Sequence, residues 1–78
     1  MALTITDSTI TSDLADAYAE YRPDASADDR GAWVVYRSPW AARLLDRNQA
    51  ITAMTIEEEQ TRPEPDRALI ESLAGELQ

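Results

Sequence analysis

The chain has 78 residues, with 15 acidic residues against seven arginines and no lysine, histidine or cysteine, so its formal net charge is −8. The commonest general base, the thiolate nucleophile and the lysine of Schiff-base and P-loop chemistry are missing, so we expect a non-enzymatic protein without a cofactor. Zinc and non-haem iron sites, which nearly always use histidine or cysteine, are disfavoured for the same reason. The negative charge makes direct binding to nucleic acid or to an anionic membrane unfavourable.

The length predicts one small domain over residues 1–78, because a chain of this size buries only about 60% of its unfolded surface. With neither a disulfide nor a metal to support so thin a core, we expect a protein partner or self-association. No apolar run is long enough to span a bilayer, and the first seven residues lack the regions of a signal peptide. We therefore expect a cytoplasmic protein, or one within a particle assembled in the cytoplasm.

The N-terminal third predicts one helix after a short extended segment. Leu3 and Ile5 alternate with threonines, which indicates a short strand or an extended arm over residues 1–7. A helix is predicted over 11–22, because apolar residues fall at helical spacing there and Pro23 ends the pattern. These apolar residues are Ile10, Leu14, Ala17, Tyr18 and Tyr21.

Residues 23–31 are acidic and turn-rich, which predicts a loop. Asp24, Ser26 and Asp28 alternate as in a calcium-binding loop. An EF-hand needs glycine at the sixth position and glutamate at the twelfth, where this chain has Asp29 and Val35. We therefore expect no metal site in this loop.

The run Trp33-Val34-Val35-Tyr36 is β-branched and aromatic throughout, which predicts a strand over 32–37. Ser38 and Pro39 are typical of a helix start, and a helix is predicted over 39–59. The alternative ends that helix near residue 48 and places a strand at 50–56.

A proline-containing break is predicted over 60–65, followed by an amphipathic helix over 65–77. The predicted fold is therefore predominantly α with a short strand element, a small α+β domain of about three helices. A βαβα-type arrangement is the alternative if 50–56 is a strand.

Charge is segregated along the chain. Residues 32–50 hold three arginines and one acid, a net of +2, while the segments before and after them each hold seven acids and two arginines, a net of −5. Tryptophan, tyrosine and arginine are enriched at binding hot spots, so this basic centre is a candidate partner-binding segment. The alternative is that its tryptophans form the core and its arginines pair with the chain's own acids. The candidates are Trp33, Tyr36, Arg37, Trp40, Arg43 and Arg47.

The acidic residues form a second candidate surface, because an array of carboxylates can imitate a nucleic-acid backbone. Its members are Asp13, Asp16, Glu20, Glu57, Glu58 and Glu59. The lysine-free acidity also fits a GC-rich genome or a high-salt host, in which case it carries no functional information. Two functions follow from these surfaces. The first is a small structural or adaptor subunit of a larger assembly, such as a viral or phage particle. The alternative is an acidic, antitoxin-like inhibitor that blocks a basic nucleic-acid-binding surface.

Overall fold

A computed structural model describes residues 3–23 and 32–77 of the chain. In this part of the chain a four-stranded antiparallel sheet, with its strands in sequence order, is followed by two helices. The elements are β1 (Leu3–Ile5), β2 (Thr9–Ser12), β3 (Tyr18–Tyr21), β4 (Trp33–Tyr36), α1 (Arg47–Thr61) and α2 (Arg67–Glu76). The predicted fold class of about three helices with one short strand is therefore wrong, and so is the βαβα alternative.

The predicted helix over 11–22 is wrong because this segment contains the end of β2 and all of β3. Ile10 of β2 lies opposite Ala19 of β3, and both side chains are fully buried. The hydroxyl of Ser12 accepts hydrogen bonds from the backbone N–H groups of Leu14 and Ala15, each at 3.0 Å. This local bonding turns the chain out of the strand and competes with helix formation. The apolar spacing that resembled one helix belongs to two strands and to the connection between them.

The strand predicted over 32–37 is confirmed as β4, whereas the helix predicted over 39–59 begins eight residues late, at Arg47. The hydroxyl of Ser38 donates to the carbonyl of Val35 at 2.8 Å and accepts the N–H of Trp40 at 3.2 Å, so Ser38 closes a turn. The helix start is supplied instead by a capping box between Asp46 and Gln49.

The alternative strand at 50–56 is wrong, since these residues lie inside α1. This helix packs across β2, β3 and β4, and α2 packs against it. Ala50, Ala53 and Met54 are fully buried, and the two alanines allow a close approach of backbone to backbone. The predicted C-terminal helix is present as α2, which begins after Asp66 caps it by accepting the N–H of Leu69. Neither described helix is long and apolar enough to cross a membrane.

The pairing register of the strands shows which residues lie at each end of the sheet. Ser12, Tyr18 and Tyr36 lie at one end, called here the Tyr36 end. Tyr21 pairs with Trp33 at the other, called the Trp33 end. Residues 1–2 of the predicted arm and residues 24–31 of the predicted loop, with the calcium-like pattern, lie outside the described residues.

Candidate partner-binding surface

Residues 37–47, called here the basic edge, run back along β4 from the Tyr36 end to the Trp33 end of the sheet. The backbone N–H of Trp33 donates to the carbonyl of Leu45 at 2.8 Å, and the N–H of Leu45 donates back to Trp33 at 3.0 Å. Leu45 is buried and belongs to the core. The segment is therefore anchored to the sheet at its far end, and it covers the outer edge of β4.

Most side chains of the basic edge are exposed. Arg37, Arg43 and Arg47 are exposed, and within residues 3–23 and 32–77 their guanidinium groups make neither an ion pair nor a hydrogen bond. Leu44, between two of these arginines, is 55% exposed. The carboxylate of Asp46 accepts the N–H of Gln49 at 2.7 Å and so faces the start of α1. The basic edge thus combines unpaired cations with exposed apolar surface.

Arg37 has an unusual backbone. Its φ is 61°, in the left-handed region, and it is the one described non-glycine residue with a positive φ. An L-residue in this conformation costs roughly 1–2 kcal/mol, because its Cβ crowds the backbone. Glycine or asparagine is the usual occupant of such a position. The exposed guanidinium of Arg37 has no partner in the described chain, so no contact of this side chain offsets the backbone strain.

The two tryptophans of the predicted segment differ in burial. Trp33 is 4% exposed and belongs to the core, where its ring meets that of Tyr21 at a centroid distance of 5.7 Å. Trp40 is half-buried and packs against the same core from the basic edge. Trp33 therefore stabilises the fold, while Trp40 presents part of its ring beside the exposed arginines.

Tyr36 lies on the opposite face of the sheet from the helices. Its ring stacks on that of Tyr18 with centroids 5.1 Å apart, and its hydroxyl accepts a hydrogen bond of 2.8 Å from Arg22. Three residue steps of about 3.3 Å separate the two ends of β4, so Tyr36 lies about 10 Å along the strand from Trp33. Leu45 pairs with Trp33 in the antiparallel sense, so Arg47 follows it past the Trp33 end, Arg43 precedes it on the side toward the middle of β4, and Arg37 lies at the Tyr36 end.

The acidic candidate residues lie in different parts of the structure. Asp13 and Asp16 are exposed in the connection between β2 and β3, at the Tyr36 end. Glu20 lies on the outer face of the sheet, 3.9 Å from the guanidinium of Arg22. These three residues are on the surface, as an acidic binding surface requires.

The Glu57-Glu58-Glu59 run lies mostly inside the structure. Glu58 and Glu59 are each 5% exposed, and one carboxylate oxygen of Glu57 is buried without a hydrogen-bond partner in the described chain. Burial raises the pKa of the Glu57 carboxyl above its ordinary value. Glu58 accepts a hydrogen bond of 2.7 Å from the hydroxyl of Ser12. The run was predicted as part of an exposed acidic surface, but Glu58 instead ties α1 to β2.

Glu59 joins the two helices. Its carboxylate accepts the backbone N–H of Asp66 at 3.0 Å and a hydrogen bond from Arg62 at 3.0 Å. These two donors lower the pKa of the Glu59 carboxyl, the backbone hydrogen bond having the larger effect. No local pattern signals this role, because the contact depends on how the chain turns between the helices.

The described residues contain no group of three or more carboxylates close enough to hold a metal ion. An open cleft of about 310 Å³ lies at the junction of the helices, where its lining includes Gln60, Arg67, Ile70 and Glu71. Comparison with protein-family models, curated proteins and solved structures gives no match to this chain.

Proposed function

We propose that the chain is a non-enzymatic protein-binding protein, a small adaptor or structural subunit of a larger assembly, and that it docks through the basic edge. The observation that carries this proposal is the set of three exposed arginines without a partner in the described chain, in a protein with 15 acids. The proposal includes a cytoplasmic location, or one within a particle assembled there. Direct contact with nucleic acid is unfavourable under this proposal, because a net charge of −8 repels phosphate.

The chemistry of the basic edge favours an acidic partner surface that also carries an apolar side chain. Arginine binds carboxylates through two parallel hydrogen bonds, which gives both orientation and selectivity. Complete burial of a leucine side chain is worth about 1.5–3 kcal/mol, so covering the exposed 55% of Leu44 contributes on the order of 1 kcal/mol. Trp40 adds a rigid aromatic surface beside these groups.

The proposal is tested by affinity capture from the protein's own host, with the wild type compared with Arg43→Glu. The matched control is Arg67→Glu, because Arg67 is also exposed but lies at the start of α2, outside the basic edge. Both substitutions change the net charge by the same amount. We expect the amount of partner protein captured by Arg43→Glu to be at least about tenfold lower than the amount captured by the wild type or by Arg67→Glu. A tenfold change corresponds to a loss of about 1.4 kcal/mol in binding free energy. Unfolding curves show whether each variant remains folded.

Equal capture by the wild type and Arg43→Glu would overturn docking through the basic edge. Loss of capture with Asp13→Asn and Asp16→Asn, with no effect of Arg43→Glu, would instead support the acidic inhibitor. The structure favours that alternative less, because Glu58 and Glu59 are buried and do not contribute to an acidic surface.

A further inference from the structure

The connection between β2 and β3 carries an exposed leucine between two acids. Leu14 is 41% exposed, and Asp13 and Asp16 are exposed without a hydrogen bond or ion pair in the described chain. We call residues 13–16 the acidic turn. Ser12 holds the backbone of this turn through the N–H groups of Leu14 and Ala15, and Ser12 itself is held by the buried carboxylate of Glu58. The turn is thus a preorganised surface rather than a free loop.

The basic edge has the same pattern with the opposite charge. Its most exposed large apolar side chain, Leu44 at 55%, lies beside Arg43 and three residues before Arg47. Each surface therefore combines one exposed leucine with two unpaired charges of one sign. Opposite charges across an interface select the partner and its orientation, while the apolar groups in the middle are removed from water.

The two surfaces do not pair with each other within one copy, since neither acid of the turn forms an ion pair with an arginine of the basic edge in the described chain. The acidic turn precedes Tyr18 and joins β2 to β3, whereas Leu44 precedes Leu45, which pairs with Trp33 on the outer edge of β4. A contact between two different surfaces is heterologous, and in an open head-to-tail arrangement each added copy leaves one free surface at each end of the assembly.

We propose that the partner of the basic edge is a second copy of this chain, whose acidic turn binds there in a head-to-tail arrangement. The inference rests on the proposed function, because it names the protein that the basic edge binds. The contact is weak, since exposed ion pairs contribute little and two copies of net charge −8 repel each other over longer distances. Such a contact acts at high local concentration, as in an assembly.

The three exposed leucines supply a matched set of variants for sedimentation velocity. Leu14→Ser removes the apolar part of the acidic turn and Leu44→Ser that of the basic edge without changing any charge, while Leu69→Ser on α2 is the control, with Leu69 40% exposed. We expect the mass of the wild type and of Leu69→Ser to rise steadily over about a hundredfold range of concentration, without stopping at a dimer. Leu14→Ser and Leu44→Ser alone should associate more weakly than the wild type at every concentration, because each lacks the apolar part of one surface.

An equimolar mixture of Leu14→Ser and Leu44→Ser distinguishes this contact from any other. Each variant retains the surface that the other lacks, so the mixture should form mainly a one-to-one dimer through the one intact contact. A monomeric wild type, a monomeric mixture, or a wild type that stops at a dimer would each overturn the proposal. If the wild type is monomeric but Arg43→Glu still lowers capture of a host protein, only the self-association fails. If the variants behave as described but no host protein depends on Arg43, docking on other proteins fails instead.

Discussion

Replacing Arg37 by glycine should make the protein more stable, although it removes a large side chain. Arg37 has a φ of 61°, which costs an L-residue roughly 1–2 kcal/mol and costs glycine almost nothing. Glycine also loses more chain entropy on folding, about 0.5–1 kcal/mol relative to alanine. The expected net gain in the free energy of unfolding is therefore about 0–1.5 kcal/mol, with a central value of about 0.7 kcal/mol. The exposed guanidinium has no partner in the described chain, so its removal subtracts little.

The gain is measured by urea unfolding followed through the fluorescence of the tryptophans, since Trp33 is buried in the native state. For a domain of this size, the central value corresponds to a rise of about 3–6 °C in the midpoint of thermal unfolding. The slope of the free energy with urea should stay unchanged, because the surface exposed on unfolding is nearly the same.

Two controls separate backbone strain from loss of the arginine. Arg37→Ala removes the guanidinium but keeps a Cβ, so it should give no gain. Arg43→Gly places glycine at an exposed position without a positive φ, where it should lower stability by about 0.5–1 kcal/mol. If Arg37→Gly is as destabilising as Arg43→Gly, the strain argument is wrong. A stable Arg37→Gly protein that has lost affinity for its partner would show that the strained arginine is retained for binding.

Two further predictions concern the buried glutamates of α1. Ser12→Ala leaves a buried oxygen of Glu58 without its donor, so we expect a loss of about 1–3 kcal/mol in urea unfolding; a loss no larger than that of Ser8→Ala, at an exposed serine, would contradict this role. Glu57→Gln should stabilise the protein at neutral pH. Burial raises the pKa of Glu57, so the wild type loses stability as pH rises above the ordinary glutamate pKa of about 4.3. The advantage of the glutamine variant should therefore grow from acid to neutral pH, and a constant difference would refute the argument.

The strand β4 and the helix α2 were predictable because their signals are local. Trp33 to Tyr36 are all aromatic or β-branched, and Leu69, Ile70, Leu73 and Leu77 repeat at the spacing of a helix. The β2–β3 pair was not predictable in this way, because each strand has four residues and the apolar positions of both fit one helical stripe. What decides between these structures is the burial of Ile10 and Ala19 under α1, a contact between distant parts of the chain.

The candidate partner-binding surface also combines features that the sequence determines with features that depend on packing. Composition alone indicates that histidine, cysteine and lysine chemistry is missing, and the order of charges along the chain places a basic segment between two acidic ones. Only the tertiary structure decides which of these side chains meet solvent. It buries Trp33 in the core, leaves Arg43 and Leu44 exposed, and draws Glu58 inward to Ser12, 46 residues away. The physical reason is that burial and hydrogen bonding depend on which elements pack together, whereas charge and residue type belong to each position by itself.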